Sequence, residues 1–252
     1  EVKDGVAVIT IDNPPVNAVS TKVLTALNQA FDDAERDAEA RVIIFTGAGP
    51  KAFCAGGDLR EEKDFGDPDN ARAFRTLGRN TLNRIENGKL PVIAAIHGYC
   101  IGGGMNLAAC CDMRFCNEGA RFGVPAARLG LGYGFLRIER LSRIVGLPRA
   151  MEFLFTARQY SSKEAYEMGL VNAVAADAEL DALVAKTTDA IAQNAPLTIA
   201  LAKASAREIA KPESKQDHKK LEKMAVACFD SEDFKEGRRA FMEKRTPVFK
   251  GR

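Results

Sequence analysis

The segment PVIAAIHGYCIGGG (91–104) constrains the chain most. Val92 to Ile96 are apolar without alternation, which describes a strand covered on both faces and so points to an α/β layered domain. Three consecutive glycines follow, and then a run of small residues (105–111) that reads as a helix. A glycine backbone at such a strand-to-helix junction lets another group approach closely. The helix N-terminus adds amide donors and a dipole that favour negative charge there.

The rest of the chain fits the same architecture. GVAVITIDNP (5–14) is a strand that stops at Asn13-Pro14-Pro15, and Ser20 is placed to cap a helix. Leu24, Leu27, Phe31 and Ala34 form that helix's apolar stripe. RVIIFTG (41–47) is a short apolar strand ending at glycine, MRFC (113–116) is a further strand, and AGPKAFCAGGDL (48–59) is a loop-like segment rich in small residues. A charged, loop-like stretch covers 61–70, and a helix then runs to about Asn87. From about Ser161 the pattern is helical, which divides the chain into a core of residues 1–195 and a helical C-terminal region, 196–252.

Charge excludes some functions. Lys and Arg number 36 against 34 Asp and Glu, so no global field favours nucleic acid. No apolar run is long enough to span a bilayer. The six cysteines lack C-x-x-C spacing and only two histidines accompany them, so no metal site is expected. They read as buried reduced thiols of a cytoplasmic protein. Position 1 is Glu rather than Met, so a removed targeting segment is compatible with the sequence. Residues 203–252 hold 14 Lys and Arg against 9 Asp and Glu, a bias that suits a solvated helix face or a nearby phosphate-bearing ligand.

A second glycine site, Cys54-Ala55-Gly56-Gly57-Asp58, also follows a buried strand. Two bare N–H groups converging on one oxygen would form an oxyanion hole. No G-x-G-x-x-G, P-loop, H-E-x-x-H or G-x-S-x-G motif is present.

Taken together, these residues resemble the crotonase (enoyl-CoA hydratase/isomerase) superfamily. The likeness is carried in order by N-P-P-x-N-A-x-S (13–20), K-A-F-C-A-G-G-D-L (51–59), P-V-I-A-A-I-H-G-Y-C-I-G-G-G (91–104), C-D-M-R (111–114) and R-F-G-V-P (121–125). E-A-x-x-M-G-L-V (164–171) and A-F-M-E-K-R (240–245) complete it. The resemblance implies a spiral of β-β-α turns with a helical C-terminal trimerisation region, assembled as a homotrimer or hexamer. It implies an acyl-CoA thioester substrate, with coenzyme A as part of that substrate and no separate cofactor. The oxyanion-hole donors then fall on Gly57 and Gly103. Ala55, Phe241 and Lys244 take the coenzyme A positions, the last two completing a neighbouring subunit's pocket.

The chain departs from the family pattern where hydratases carry two acid-base glutamates. Those positions are Asn106 and Ala126. A positioned acid or base contributes roughly 10²–10⁴-fold, so standard hydration should be gravely weakened. Enolate stabilisation, which depends on backbone, is retained. Decarboxylation of a methylmalonyl-CoA-type ester suits that combination, because breaking the C–C bond generates the enolate without a base. Tyr133 could then donate a proton or orient the carboxylate, or simply form a pocket wall. The decarboxylases of the family resemble the chain around this tyrosine and at D-S-E-D-F-K-E-G (230–237), but have a histidine at position 57 and an acid at position 106. A non-catalytic acyl-CoA-binding oligomer is the third reading. Asn106 is either a hydrogen-bonding amide in the site or a polar helix residue without catalytic duty. Asp58 reads as a loop-fixing carboxylate and His97 as a packed or hydrogen-bonded residue. Glu61, Glu62 and Glu139 are further carboxylates whose place the sequence does not fix.

Overall fold

In the computed structural model, which describes residues 2–58, 61 and 67–252, the alternating stretch near the N-terminus forms β2 (Val6–Ile11). It turns Ala7, Ile9 and Ile11 inward. The short β1 (Val2–Lys3) pairs with it antiparallel. Three β-β-α turns follow α1 (Thr21–Arg36). They comprise β3 (Val42–Gly47), β4 (Ala52–Cys54) and α2 (Pro68–Asn87); then β5 (Val92–Ile96), β6 (Tyr99–Ile101) and α3 (Gly103–Cys110). The third is β7 (Met113–Asn117), β8 (Arg121–Gly123), a 3₁₀ turn (Pro125–Arg128) and α4 (Phe135–Val145). The first strand of each turn joins one sheet and the second joins another, so the chain spirals between two layers. After α5 (Leu147–Thr156), β9 (Gln159–Ser161) and α6 (Ser162–Glu167), β10 (Ala173–Ala175) closes the larger sheet. Its order is β1-β2-β3-β5-β7-β10, parallel beyond the first pair. The smaller sheet is β4-β6-β8-β9, with only β9 antiparallel. This is the α/β spiral that the sequence predicts.

The core explains the local sequence. All five residues of β5 are buried, as a strand covered on both faces requires. The α1 stripe, Leu24, Leu27, Phe31 and Ala34, is buried, and Ser20 Oγ caps the helix by accepting from Val23 N at 3.2 Å. Phe31, Phe45 and Phe53 meet edge-on at 5.5 and 5.4 Å, tying α1 to β3 and to β4, the strand that feeds the first glycine loop.

Two boundaries differ from the sequence expectation. The charged stretch 61–70 ends in helix rather than loop: Asp67 caps α2 and Pro68 takes its first turn, where a missing N–H costs nothing. Residues 62–66 lie outside the described residues. The small-residue helix begins at Gly103 rather than Met105, because Gly102 supplies the N-cap turn at φ 56°.

The core ends with α7 (Leu180–Ala192), and the C-terminal region comprises α8 (Pro196–Ile209), α9 (His218–Asp230) and α10 (Glu232–Glu243). Its helix α8 is fastened to the core by Lys203, which is 8% exposed. Lys203 Nζ donates to Ile85 O (3.0 Å) and Leu90 O (2.7 Å) and pairs with Asp112 Oδ2 at 2.9 Å. Arg207 reaches the other Asp112 oxygen at 2.6 Å. Among the described residues no helix is long and apolar enough to cross a membrane, and no cluster of three or more His, Cys, Asp or Glu could hold a metal.

Candidate active site

The first glycine loop is held by the N-P-P-x-N-A-x-S segment. Asn17, at φ 56°, sends Nδ2 to Ala48 O (3.0 Å) and Ala52 O (2.7 Å), while its Oδ1 accepts from Asn13 N. Asn tolerates this left-handed backbone better than most residues. Beyond it the backbone pairs residue by residue with the loop. Ala55 N donates to Val16 O (3.1 Å), Val19 N to Gly56 O (2.7 Å) and Asp58 N to Val19 O (2.9 Å). In this parallel bridge Gly56 and Asp58 use their groups toward Val19, so the N–H of Gly57 between them faces the other way. Gly57 is exposed, and a Cβ built on it would meet nothing within 4 Å.

The second loop comes up against the first. Gly102 N is anchored to Gly123 O at 2.8 Å, which is the structural meaning of the R-F-G-V-P segment. Gly104 has no room for a side chain: a Cβ there would lie 2.1 Å from Cys54 O. A Cβ on Gly103 would lie 3.5 Å from Gly57 N, so the two glycines are immediate neighbours across the loops. Gly103 is the first residue of α3, where an amide has no intrahelical acceptor. Neither Gly57 N nor Gly103 N donates to an acceptor among the described residues. Two adjacent free amides, one carrying the positive end of a helix dipole, can both address a single oxygen.

The far end of α3 is fixed by C-D-M-R. Arg114, buried, donates to Ala108 O (3.2 Å), Cys111 O (2.6 Å) and Leu170 O (2.8 Å), satisfying carbonyls that the helix end leaves open. Thiol chemistry does not suit the site. Burial pushes the Cys54 thiol up to about 12, far from the thiolate form at neutral pH. All six cysteines are free, and only Cys228 is not buried.

Asn106 lies one turn along α3 on the face of Gly103 and is 6% exposed. Its Oδ1 is buried without a hydrogen-bond partner, and its Nδ2 makes no hydrogen bond among the described residues. Ala126, at the other position where hydratases carry an acid, is also buried. Tyr133 Oη donates to Gly102 O at 3.4 Å, bringing the phenol beside the glycine pair. Burial raises its pKa, so it stays protonated. Arg137, four residues on in α4, lies with Cζ 5.5 Å from the Tyr133 ring centre. Sequence reasoning missed Arg137, because Tyr133 precedes the Gly134 N-cap of α4 and the two side chains meet across that turn rather than along a helix face.

The spare carboxylates have other partners. Glu61 Oε2 accepts from Thr21 N (2.9 Å) and Thr21 Oγ1 (3.0 Å), capping α1, and Glu139 pairs with Arg143 at 3.0 Å. Glu62 lies outside the described residues. His97 is half-buried with an unpartnered Nε2, and burial lowers its pKa. It precedes β6 while the glycines follow it, a separation of about 10 Å or more along the strand.

The residues assigned to coenzyme A do not come together in the protomer. Ala55 enters the first loop, whereas Phe241 and Lys244 sit at the exposed end of α10. Phe241 is 81% exposed beside a groove of about 990 Å³ between α8, α9, α10 and the C-terminal tail. No residue of either glycine loop lines that groove.

The sequence profile described as Enoyl-CoA hydratase/isomerase matches residues 1–252, the whole chain. The chain belongs to the enoyl-CoA hydratase/isomerase family. Among relatives of this family, it is 39% identical over 251 residues to a Bacillus subtilis (strain 168) protein named "Probable enoyl-CoA hydratase", covering 98% of this chain and 95% of that one. It is 37% identical over 253 residues to a carnitinyl-CoA dehydratase of Salmonella typhi, covering 97% and 94%. A crystal structure of an enoyl-CoA hydratase/carnithine racemase from Magnetospirillum magneticum superposes with a TM-score of 0.94 at 33% identity, over 100% of this chain and 94% of that one. The crotonase fold of the family is thus the fold of this chain.

Proposed function

We propose that this family member binds an acyl-CoA thioester and stabilises its enolate between the N–H groups of Gly57 and Gly103, without either hydratase glutamate. The observation that carries this reading is the pair of free, adjacent amides facing open space. A thioester oxygen placed there accepts two hydrogen bonds that strengthen as it gains negative charge, so the donors favour the enolate over the ground state. Ala55 contributes to coenzyme A binding, and Phe241 and Lys244 do so from a neighbouring subunit. The exposed Phe241 and Met242 of α10, both at or above 80% exposure, support the assembly of such a trimer or hexamer, since lone chains seldom leave so much apolar surface open.

The proton-transfer half differs from a hydratase. Asn106 cannot act as a base near neutrality and Ala126 carries no ionisable group. Decarboxylation is the second reading, favoured by Tyr133: its protonated phenol lies beside the glycine pair. In that step the bond from the α-carbon to the carboxylate breaks, carbon dioxide leaves, and the electron pair passes into the enolate. A proton from the phenol or water then restores the α-carbon.

Purified protein is incubated with crotonyl-CoA and with methylmalonyl-CoA, alongside an Asn106→Glu, Ala126→Glu double variant. Hydration of crotonyl-CoA should be slow in the wild type and rise by about 10²-fold or more in the double variant. Fast wild-type hydration would contradict the missing-acid reading, and release of carbon dioxide would support decarboxylation. Tight acyl-CoA binding with no turnover of a broad ester panel would favour a binding protein.

A further inference from the structure

The arginines of α4 are matched to carboxylates with one exception. Arg140 makes a two-pronged pair with Glu86 at 2.6 and 2.7 Å, and Arg143 pairs with Glu139. Arg137 has no carboxylate partner and no hydrogen bond among the described residues; its recorded contact is the Tyr133 ring. Other arginines without close partners, such as Arg75, Arg79 and Arg128, are exposed on the surface, whereas Arg137 is half-buried. A partly desolvated guanidinium loses hydration that a facing aromatic ring only partly replaces, which leaves its fork of N–H donors directed to an anion.

The surroundings of this cation have the same character. Tyr133 bridges from Arg137 to Gly102 O, next to the free Gly103 amide. Asn106, one turn further along α3, keeps its amide unpartnered in a buried position. The positions where hydratases hold two carboxylates therefore carry none. Glu86 of α2 and Glu139 of α4 are held by their own arginines, and Asp69 lies at the opposite end of α2 from Glu86, in its first turn. The phenol stands beside the glycine pair, the Asn106 amide lies one turn along α3, and the guanidinium lies against the phenol's ring. These three groups offer an anion hydrogen-bond donors.

We infer that the acyl group taken by this site carries a carboxylate, and that Arg137 is the residue that recognises it. The inference rests on the acyl-CoA reading above and adds the substrate class: a thioester of a dicarboxylic acid, whether its carboxylate is subsequently lost or kept. Tyr133 is the positioning residue that holds the guanidinium by its ring.

The test uses matched thioesters, malonyl-CoA against propionyl-CoA and succinyl-CoA against butyryl-CoA, with dissociation constants measured by calorimetry on the full chain. The wild type should prefer the carboxylate member of at least one pair by roughly tenfold or more, the effect of a charged hydrogen bond. Arg137→Gln should lower that affinity to the level of the neutral partner, and Arg137→Lys should recover part of it. Equal affinities within both wild-type pairs would overturn the inference, as would a preference that survives in Arg137→Gln. If the neutral thioesters bind well and only the preference is absent, the acyl-CoA reading stands and this inference fails. If no thioester binds, both fall.

Discussion

Replacing Gly57 by proline lowers kcat for the acyl-CoA that this chain turns over by about 10²–10³-fold, the usual consequence of removing one oxyanion donor. The substitution is a clean one for this backbone. The pairing with Val19 uses Gly56 O and Asp58 N, so a proline between them removes no hydrogen bond from the protein. The space at Gly57 is open, and the residue before it is another glycine, which accepts the restriction that a following proline imposes. Gly57→Ala provides the comparison: it keeps the N–H and adds only a methyl that meets no protein atom, so its kcat should stay near that of the wild type. A proline variant with unchanged kcat, and a melting temperature equal to that of the wild type, would show that the amide takes no part. Gly103→Pro tests the partner donor, because the first position of a helix is the one that tolerates proline. If both amides act on one oxygen, as proposed, losses from the two variants should not add.

Asp112→Ala is expected to be the most destabilising single exchange outside the glycine loops. Asp112 receives Lys203, Arg207 and Val92 N, and removing it leaves the buried Lys203 ammonium with two carbonyl oxygens and no counter-charge. Breaking a buried pair from one side typically costs about 3–5 kcal/mol. For a chain of this size that corresponds to a fall of roughly 6–20 °C in Tm. Adding Lys203→Met should recover part of the loss, because the stranded charge goes with it, and the double-mutant cycle gives the coupling. A shift of about 1 °C in Asp112→Ala would mean that the pair carries no stability. The pair also bears on the site: Arg207, held by Asp112, donates to Cys110 O at 3.3 Å beside the Arg114 bonds at the far end of α3, and α3 presents Gly103 at its near end.

The strands, the capped α1 and the spiral were legible because burial left a direct mark on the sequence. Apolar runs announced β3 and β5, and a three-and-four spacing announced α1. The start of α3 was less legible. Helix propensity argues against glycine, yet Gly103 and Gly104 are both helical, and at Gly104 the close approach of Cys54 leaves no room for any side chain. The motif residues were visible, but their physical purpose was not. Asn17 and Val19 shape a loop more than thirty residues away, and Arg114 closes a helix by way of Leu170, contacts that no local pattern encodes. Glu61 and Glu139 could not be told from catalytic acids until their partners, Thr21 and Arg143, were in place. Arg137 escaped notice for the complementary reason. Its distinction is the lack of a partner, which only a three-dimensional arrangement can reveal.

Polarisation of the bound thioester carbonyl tests the central claim most directly. Infrared difference spectra of an acyl-CoA labelled with carbon-13 at that carbonyl would be recorded with the wild type and with Gly57→Pro. Two amide donors on one oxygen weaken the carbon–oxygen double bond, so the wild-type complex should show the stretch at lower frequency than in water. In the Gly57→Pro complex the stretch should move back toward the solution value. A bound carbonyl that absorbs at its solution frequency in the wild type, or is equally shifted in both proteins, would contradict the assignment of Gly57 and Gly103 to the reacting oxygen.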